Sequence, residues 1–511
     1  MTTPTHPGPS ATSAPSLERF DSLDPATGEV LASWPVDDDR SVGEAVDRAR
    51  VAAQWWADLG YDGRRERLLA WKGVIARRIR QLAQQVHREN GKPVEDAILE
   101  IVLAIDHIDW AAKHARKVLG PRTVRPSLLS ANLQAWLEYQ PFGVVGVIGP
   151  WNYPVFTPMG SLAYALAAGN AVVFKPSEYT PGIGAWLVDA FAQVVPEQPV
   201  LQLVTGSGST GDALCRSGVG KIAFTGSTAT AKKVMAACAP TLTPMLIECG
   251  GKDALIVDSD ADLDAAADAA AWGGLSNAGQ TCVGVERVYV VDSVYDEFVQ
   301  LLVGKLDALR AGSDDRASYG PITMPSQIDV IRRHVDEALS RGARALVGGS
   351  ASVRPPYVDP VVLVDVPADS PAMTEETFGP TLTVARVRDA DEAVDRANAS
   401  TFGLGSAVFS RARGMELARR VRSGMTSVNS AVGFATVPAL PFGGMGDSGF
   451  GRIHGADGLR EFSRAKAISR QRFALPTPLT TFDRKPENLA LVIKAVTALH
   501  GRRRPWRKSE L

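Results

Sequence analysis

Three side chains in this sequence have the types and settings for covalent chemistry at a carbonyl carbon. Cys282 closes the segment Gly279-Gln280-Thr281-Cys282, just ahead of the strand-like run 288–291, and a thiol after a glycine-containing turn can face a cleft as a nucleophile. Taken alone, a cysteine is more often a small buried hydrophobe. The context that changes this reading is Leu246-Ile247-Glu248-Cys249-Gly250-Gly251-Lys252. A carboxylate flanked by Ile247 and Cys249 is poorly solvated, which raises its pKa and suits Glu248 to general-base work, while the glycines allow close backbone approach. Asn152 sits in Pro150-Trp151-Asn152-Tyr153-Pro154, directly after the apolar run ending at Ile148. Two prolines there fix an uncharged donor that could stabilise an oxyanion.

A second group of segments could grip a nucleotide. Phe174-Lys175-Pro176-Ser177-Glu178 places a cation and a carboxylate together, suited to ribose hydroxyls and a nearby phosphate; a surface ion pair is the plainer alternative. Phe224-Thr225-Gly226-Ser227-Thr228 ends an apolar run and opens a helix, so backbone N–H groups and the Ser227 hydroxyl could face a phosphate at the positive helix end. Gly206-Ser207-Gly208 begins a G-x-G-x-x-G fingerprint without completing it, so a dinucleotide would be held differently from the usual pattern. Glu178 would repel a 2′-phosphate and accept from a free 2′-hydroxyl, which favours NAD; Lys175 could offset the repulsion, leaving NADP open.

The elements that must position these residues are legible in the hydrophobic pattern. Residues 41–120 read as helical, and from Gln140 short β-branched runs at 144–148, 171–174, 200–204 and 221–224 alternate with helical stretches. Strand and helix alternating at this spacing predict parallel βαβ units, with ligands bound at the carboxyl ends of the strands. A second series follows Gly250, with runs at 254–257, 288–291, 345–347, 361–364 and 382–384. The alternating segments 133–139 and 466–473 read as strands that leave the body to pair.

Composition bounds the rest. The chain has 511 residues, 45% hydrophobic and 22% charged, and 55 Lys+Arg against 56 Asp+Glu leave a net charge of −1, so no global field draws it to nucleic acid. Four cysteines without C-x-x-C spacing exclude a disulfide scaffold and show no metal-ligating pattern, pointing to a reducing, cytoplasmic setting. Residues 1–16 read as a disordered Pro/Ser/Thr-rich tail rather than a signal peptide. No run approaches ~20 apolar residues, the length of a membrane-spanning helix. Residues 489–499 are apolar apart from Lys494 and Thr497, and Arg502, Arg503, Arg504, Arg507 and Lys508 follow. This reads either as a helix docked on the body with a solvated tail or as a weak peripheral membrane contact with a basic end.

The segments PWNYP, FKPSE, FTGST, IECGGK, GQTC and Glu375-Glu376-Thr377-Phe378-Gly379-Pro380, closed by Pro441-Phe442-Gly443-Gly444 and Ser448-Gly449, occur in the order of the signature segments of the NAD(P)-dependent aldehyde dehydrogenase family. The chain resembles that family from Gln140 to about Phe462. The resemblance implies that Cys282 is the nucleophile and Glu248 the base that activates water, with Asn152 and the Cys282 N–H holding the oxyanion. It assigns Lys175 and Glu178 to the adenosine ribose, Gly226 and Ser227 to the diphosphate, and Glu376 and Phe378 to the nicotinamide end. Ile148, Pro150, Trp151, Ser177, Gly206 and Gly250 complete the implied cofactor site. The implied fold class is α/β, with two parallel-sheet, Rossmann-like domains and a small β oligomerisation element. A tail at 1–20 would precede a cofactor domain of 21–123 and 143–249 and a catalytic domain of 250–451. The oligomerisation element would take 124–142 and 464–478, followed by a C-terminal helix and basic tail at 479–511, in a homodimer or homotetramer.

Departures from the family pattern are Ala231 in the cofactor helix, where a glycine is common, Cys249 after the base, where leucine is common, and Asp253-Ala254 in place of a frequent Asn-Pro pair. None removes a reacting group. Trp151, Tyr153, Val283 and Phe442 would give a partly aromatic entrance for an aliphatic or aromatic aldehyde, with succinate semialdehyde another candidate. A CoA-acylating semialdehyde dehydrogenase and a catalytically silent scaffold are the rival readings; an intact Glu248 argues against the first and the complete set of reacting groups against the second.

Overall fold

A computed structural model describes residues 18–314, 316–475 and 481–501. The expected tail of the first sixteen residues and the basic residues after Gly501 lie outside the described residues. Arg19–Leu23 forms a strand paired with Val30–Pro35, so the last residues of the expected 1–20 tail are ordered into a hairpin.

The described residues divide into two compact units: the chain up to Leu119 with Gln140–Arg464, and Gly120–Tyr139 with the chain from Ala465. In the first unit, strands such as Val144–Ile148, Ala171–Lys175 and Asp253–Val257 are buried at every position. Near-continuous apolar runs of this kind belong to parallel sheets covered on both faces. Two such sheets form, as the α/β expectation requires.

The six-stranded sheet runs in the order Gly449–Phe450, Met245–Glu248, Lys221–Thr225, Val144–Ile148, Ala171–Lys175, Leu201–Leu203. All its pairings are parallel except the first, where Gly449 lies opposite Glu248. The chain lays down Val144–Ile148, builds outward on one side, then returns to add Lys221–Thr225 on the other. The strand order therefore reverses between these two neighbours, and a crevice opens outside their carboxyl ends. Asn152 and Gly226 both follow those ends.

The seven-stranded sheet is ordered Arg344–Val347, Val361–Val364, Thr381–Val387, Val285–Val291, Asp253–Val257, Ser406–Phe409, Ser427–Val428, with only the Arg344–Val347 edge antiparallel. Its core joins Leu255, Val288 and Leu382 to Phe298 and Tyr319. The helix Leu263–Leu275, capped by Asp262 accepting from the Ala265 N–H at 3.2 Å, ends just before the cysteine loop. The residues before Gln140 supply a helical layer from Asp39 to Leu119.

The second unit holds a three-stranded sheet, ordered Ser463–Gln471, Leu133–Pro141, Arg122–Val124, and the helix Pro486–His500, in which no residue is buried. Among the described residues no helix is long and apolar enough to cross a membrane.

Candidate active site

The nucleophile loop is held in an unusual backbone conformation. After the helix Leu263–Leu275, Asn277, Ala278 and Gly279 all take left-handed φ, of 54°, 57° and 72°. For the two non-glycine residues this is unfavourable and persists only where the surroundings fix it. Here they do. Asn277 Nδ2 donates to the carbonyl of Asn152 at 3.0 Å and to that of Gln280 at 3.2 Å. Gln280 Nε2 donates to the Asn277 carbonyl at 2.9 Å, and Gln280 Oε1 accepts from the Thr323 N–H at 2.8 Å. At Gly279 a side chain has no room, because a Cβ would run into the Gly379 backbone.

Asn152 is buried, and its Nδ2 donates to the Gln280 carbonyl at 2.9 Å. One N–H fixes the amide and the other remains for a ligand in the cavity that Asn152 lines with Cys282. The loop itself is strapped from below by a buried ion pair. Lys92 Nζ meets Glu100 Oε2 at 2.6 Å and donates to the Asn152 carbonyl at 3.0 Å, while Glu100 Oε1 accepts from the N–H groups of Val155 at 2.7 Å and Phe156 at 3.0 Å.

Two buried carboxyls, Glu248 and Asp253, and the half-buried Glu376 act on the thiol. Glu248, at the end of its strand, places its carboxyl close enough to Cys282 for its charge to act on the thiol. Its Oε2 accepts from the Thr225 hydroxyl at 3.1 Å, and Oε1 has no satisfied partner among the described residues. Burial pushes the Glu248 pKa up to about 7. Burial likewise raises Glu376 to about 8 and Asp253 to about 8. The Cys282 thiol is pushed well above its ordinary value, first by burial and then by the negative charge of Glu248, Glu376 and Asp253.

From this group a cavity of about 600 Å³ extends along the carboxyl ends of the six-stranded sheet. One wall is Ile148, Pro150 and Trp151; Lys175, Ser177 and Glu178 stand at another. Lys175 is buried, donates to the Pro176 carbonyl at 3.0 Å and lies 3.7 Å from the half-exposed Glu178 carboxylate. Gly208 and Gly211 on one helix face Gly226 and the start of the helix Thr228–Cys238. Ser227 caps that helix, accepting from the Thr230 N–H at 3.2 Å beside the unpaired backbone N–H groups of the first turn. At the Cys282 end stand Gly250, Glu376 and Phe378. Glu376 Oε1 accepts from the Gly251 N–H at 3.1 Å, and a Cβ at Gly250 would displace the Glu376 carboxyl from this position. Phe378 takes φ 51° and meets Trp151 edge-on at 5.5 Å. Glu286, buried and paired with Lys252, accepts the Thr377 and Phe378 N–H groups and holds the turn in place.

This lining fits a dinucleotide. It offers a carboxylate for a ribose diol, a glycine-faced helix start for a diphosphate, and a second carboxylate with an aromatic ring beside the thiol.

Of the sequence-predicted residues, thirteen line this one cavity: Ile148, Pro150, Trp151, Asn152, Lys175, Ser177, Glu178, Gly226, Ser227, Gly250, Cys282, Glu376 and Phe378. Glu248 stands behind the lining, against the thiol. Gly206 does not reach it; there a Cβ would collide with the Thr210 side chain, and Gly208 and Gly211 form the wall instead. Trp151 lines this cavity, and Val283 and Phe442 are buried. The sequence reading missed Thr230, Lys233, Val234 and Ala237, which line the cavity at the i, i+3, i+4, i+7 spacing of one helix face. It also missed Lys92 and Glu100.

The fold and the site define an oxidoreductase in which a nicotinamide-nucleotide cavity ends at a half-buried thiol. Residues 12–468 match the model of the aldehyde dehydrogenase family. The chain is 36% identical over 458 residues to the 4,4′-diapolycopene aldehyde oxidase of Methylomonas sp, covering 89% of this chain and 86% of that protein. It is 33% identical over 488 residues to a Mycobacterium ulcerans protein named as succinate-semialdehyde dehydrogenase [NADP(+)] 2, covering 93% and 94%. Lactaldehyde dehydrogenase from Escherichia coli superposes with a TM-score of 0.86 at 29% identity, over 90% of this chain and 97% of that one. The chain belongs to the aldehyde dehydrogenase family, and it is an NAD(P)-dependent enzyme that oxidises an aldehyde to a carboxylic acid.

Proposed function

We propose that the oxidation runs through an acyl group carried on Cys282. The observation that carries this reading is the convergence of the Glu248 carboxyl and the Asn152 amide on one thiol at the end of the nucleotide cavity. The Cys282 thiol gives up its proton to solvent, the sulfur attacks the aldehyde carbon, and a C–S bond forms as the carbonyl electrons move to oxygen. The free N–H of Asn152 and the Cys282 backbone N–H stabilise that oxyanion. When bound, NAD(P)+ accepts the hydride that leaves the same carbon. Trp151, Glu376 and Phe378 position the nicotinamide end, and a thioester remains on Cys282. Glu248 then removes a proton from water, the hydroxide oxygen bonds to the acyl carbon, and the C–S bond breaks to release the acid and the thiolate.

NAD is the preferred nucleotide, because Glu178 stands at the ribose end with Lys175 already donating to a backbone carbonyl. The relatives' names make diapolycopene aldehyde and succinate semialdehyde candidate substrates. The exposed edge strand Ser463–Gln471 supports assembly of a homodimer or homotetramer by strand addition, in the cytoplasm. Turnover of an aldehyde panel with each nucleotide, with product measured with and without CoA, tests the reading. We expect free acid without CoA and higher kcat/KM with NAD. CoA-dependent product would favour the acyl-transfer alternative, and NADP preference would overturn the role given to Glu178.

A further inference from the structure

We propose that the helix Pro486–His500 seats the protein on an anionic lipid surface. None of its fifteen residues is buried. Leu489, Ile493, Val496 and Leu499 are 52%, 58%, 36% and 51% exposed and follow the i, i+4, i+7, i+10 spacing of a single face, with Val492 in the same arc. Glu487, Lys494 and Thr497 lie off this face, together with Leu491, which is 61% exposed. Phe482, four residues before the helix, is fully exposed. A continuous apolar stripe of this kind is unfavourable in water and marks a surface that something covers.

Charge identifies the occupant. The whole chain has a net charge of −1, yet residues 120–139 and 465–501 contain eight Lys and Arg against three Asp and Glu. The sequence then continues with Arg502, Arg503, Arg504, Trp506, Arg507 and Lys508. Positive charge is thus gathered in the unit that carries the apolar stripe, and an apolar face combined with a basic cluster is the pair of signals that holds a protein at an anionic membrane surface. A second copy is the poorer partner, since a two-fold pairing of this face would bring like charges together. At 1.5 Å per residue the helix is about 22 Å long, short of the ~30 Å hydrocarbon core, so it lies in the surface and does not span.

Flotation of the full-length enzyme with vesicles tests this. The wild type is expected to float with phosphatidylcholine vesicles containing phosphatidylglycerol at least about tenfold more than with phosphatidylcholine alone, as several basic residues near an anionic surface require. High salt is expected to release it. The variant Leu489→Glu/Ile493→Glu should lose flotation while forming NADH in solution at the wild-type rate, and Arg484→Glu/Lys485→Glu should weaken it. Equal recovery on neutral and anionic vesicles, or retained flotation of the leucine–isoleucine variant, would overturn the proposal. So would a wild type that ignores vesicles but has a larger mass by light scattering than that variant, because the face would then be an interface between copies.

Discussion

Asn152 Nδ2 donates to the carbonyl of Gln280 at 2.9 Å, two residues before Cys282, so the amide and the nucleophile loop are fixed to each other. An oxyanion donor set in this way needs no rearrangement as charge develops on the substrate oxygen. Replacing Asn152 with Ala should lower kcat by about 10²- to 10³-fold. Single-turnover NADH formation measures this directly, and an unchanged rate would remove Asn152 from that role.

Glu248 gives the pH dependence. Burial raises its pKa to about 7, so the base form is populated above that pH. Hydrolysis of the acyl-enzyme should therefore fall about tenfold per pH unit well below it, as for any single required base. Glu248→Gln should release one burst of NADH and then stall, with no such pH step. The same shift acts on stability. The folded pKa lies above the unfolded one, so the native state binds the proton more tightly, and stability falls as pH rises from about 4.5 to about 7. The Tm of Glu248→Gln relative to wild type should accordingly be higher at pH 8 than at pH 5.

Asp253 separates this chain from the common family pattern and has a physical effect on the thiol. After burial and the charges of Glu248 and Glu376, it is a further cause that raises Cys282. Asp253→Asn removes that charge, so alkylation of Cys282 by iodoacetamide should become faster at pH 9, where the native carboxyl is ionised. An unaltered alkylation profile would show that Asp253 does not reach the thiol electrostatically.

Lys92 and Glu100 have side chains only 1% and 0% exposed, which makes their pairing a stringent test of the strap beneath Asn152. Lys92→Met leaves a buried carboxyl without its cation and should cost about 3–5 kcal/mol of stability. It should also lower kcat through the displaced Asn152 loop. Adding Glu100→Gln should recover part of the Tm; failure of the double variant to recover any would mean that the pair is not the unit that matters.

The parallel sheets were legible because their strands are apolar at nearly every position, and the site was legible because each of its main segments follows a strand end. What escaped the sequence was created by packing. Lys92 meets Asn152 across sixty positions of chain, with no local pattern to announce it. Val234 and Ala237 sit on an amphipathic face, but periodicity does not distinguish a face that lines a cavity from one that fills a core. Gly206 stands off the cavity lining while Gly208 is in it, because a glycine pair in sequence does not say which member faces a cavity and which makes room for Thr210. The helix cap that Ser227 makes with the Thr230 N–H was likewise not part of the sequence reading.

The acyl group on sulfur is the central claim, and mass spectrometry of quenched enzyme tests it most directly. Trypsin yields a 253–287 peptide in which Cys282 is the sole cysteine, separate from Cys249. With Glu248→Gln enzyme, NAD+ and a turned-over aldehyde, that peptide should gain the mass of the substrate's acyl group in proportion to the NADH burst. A full burst with the peptide unmodified, or the added mass on any other residue, would contradict the account.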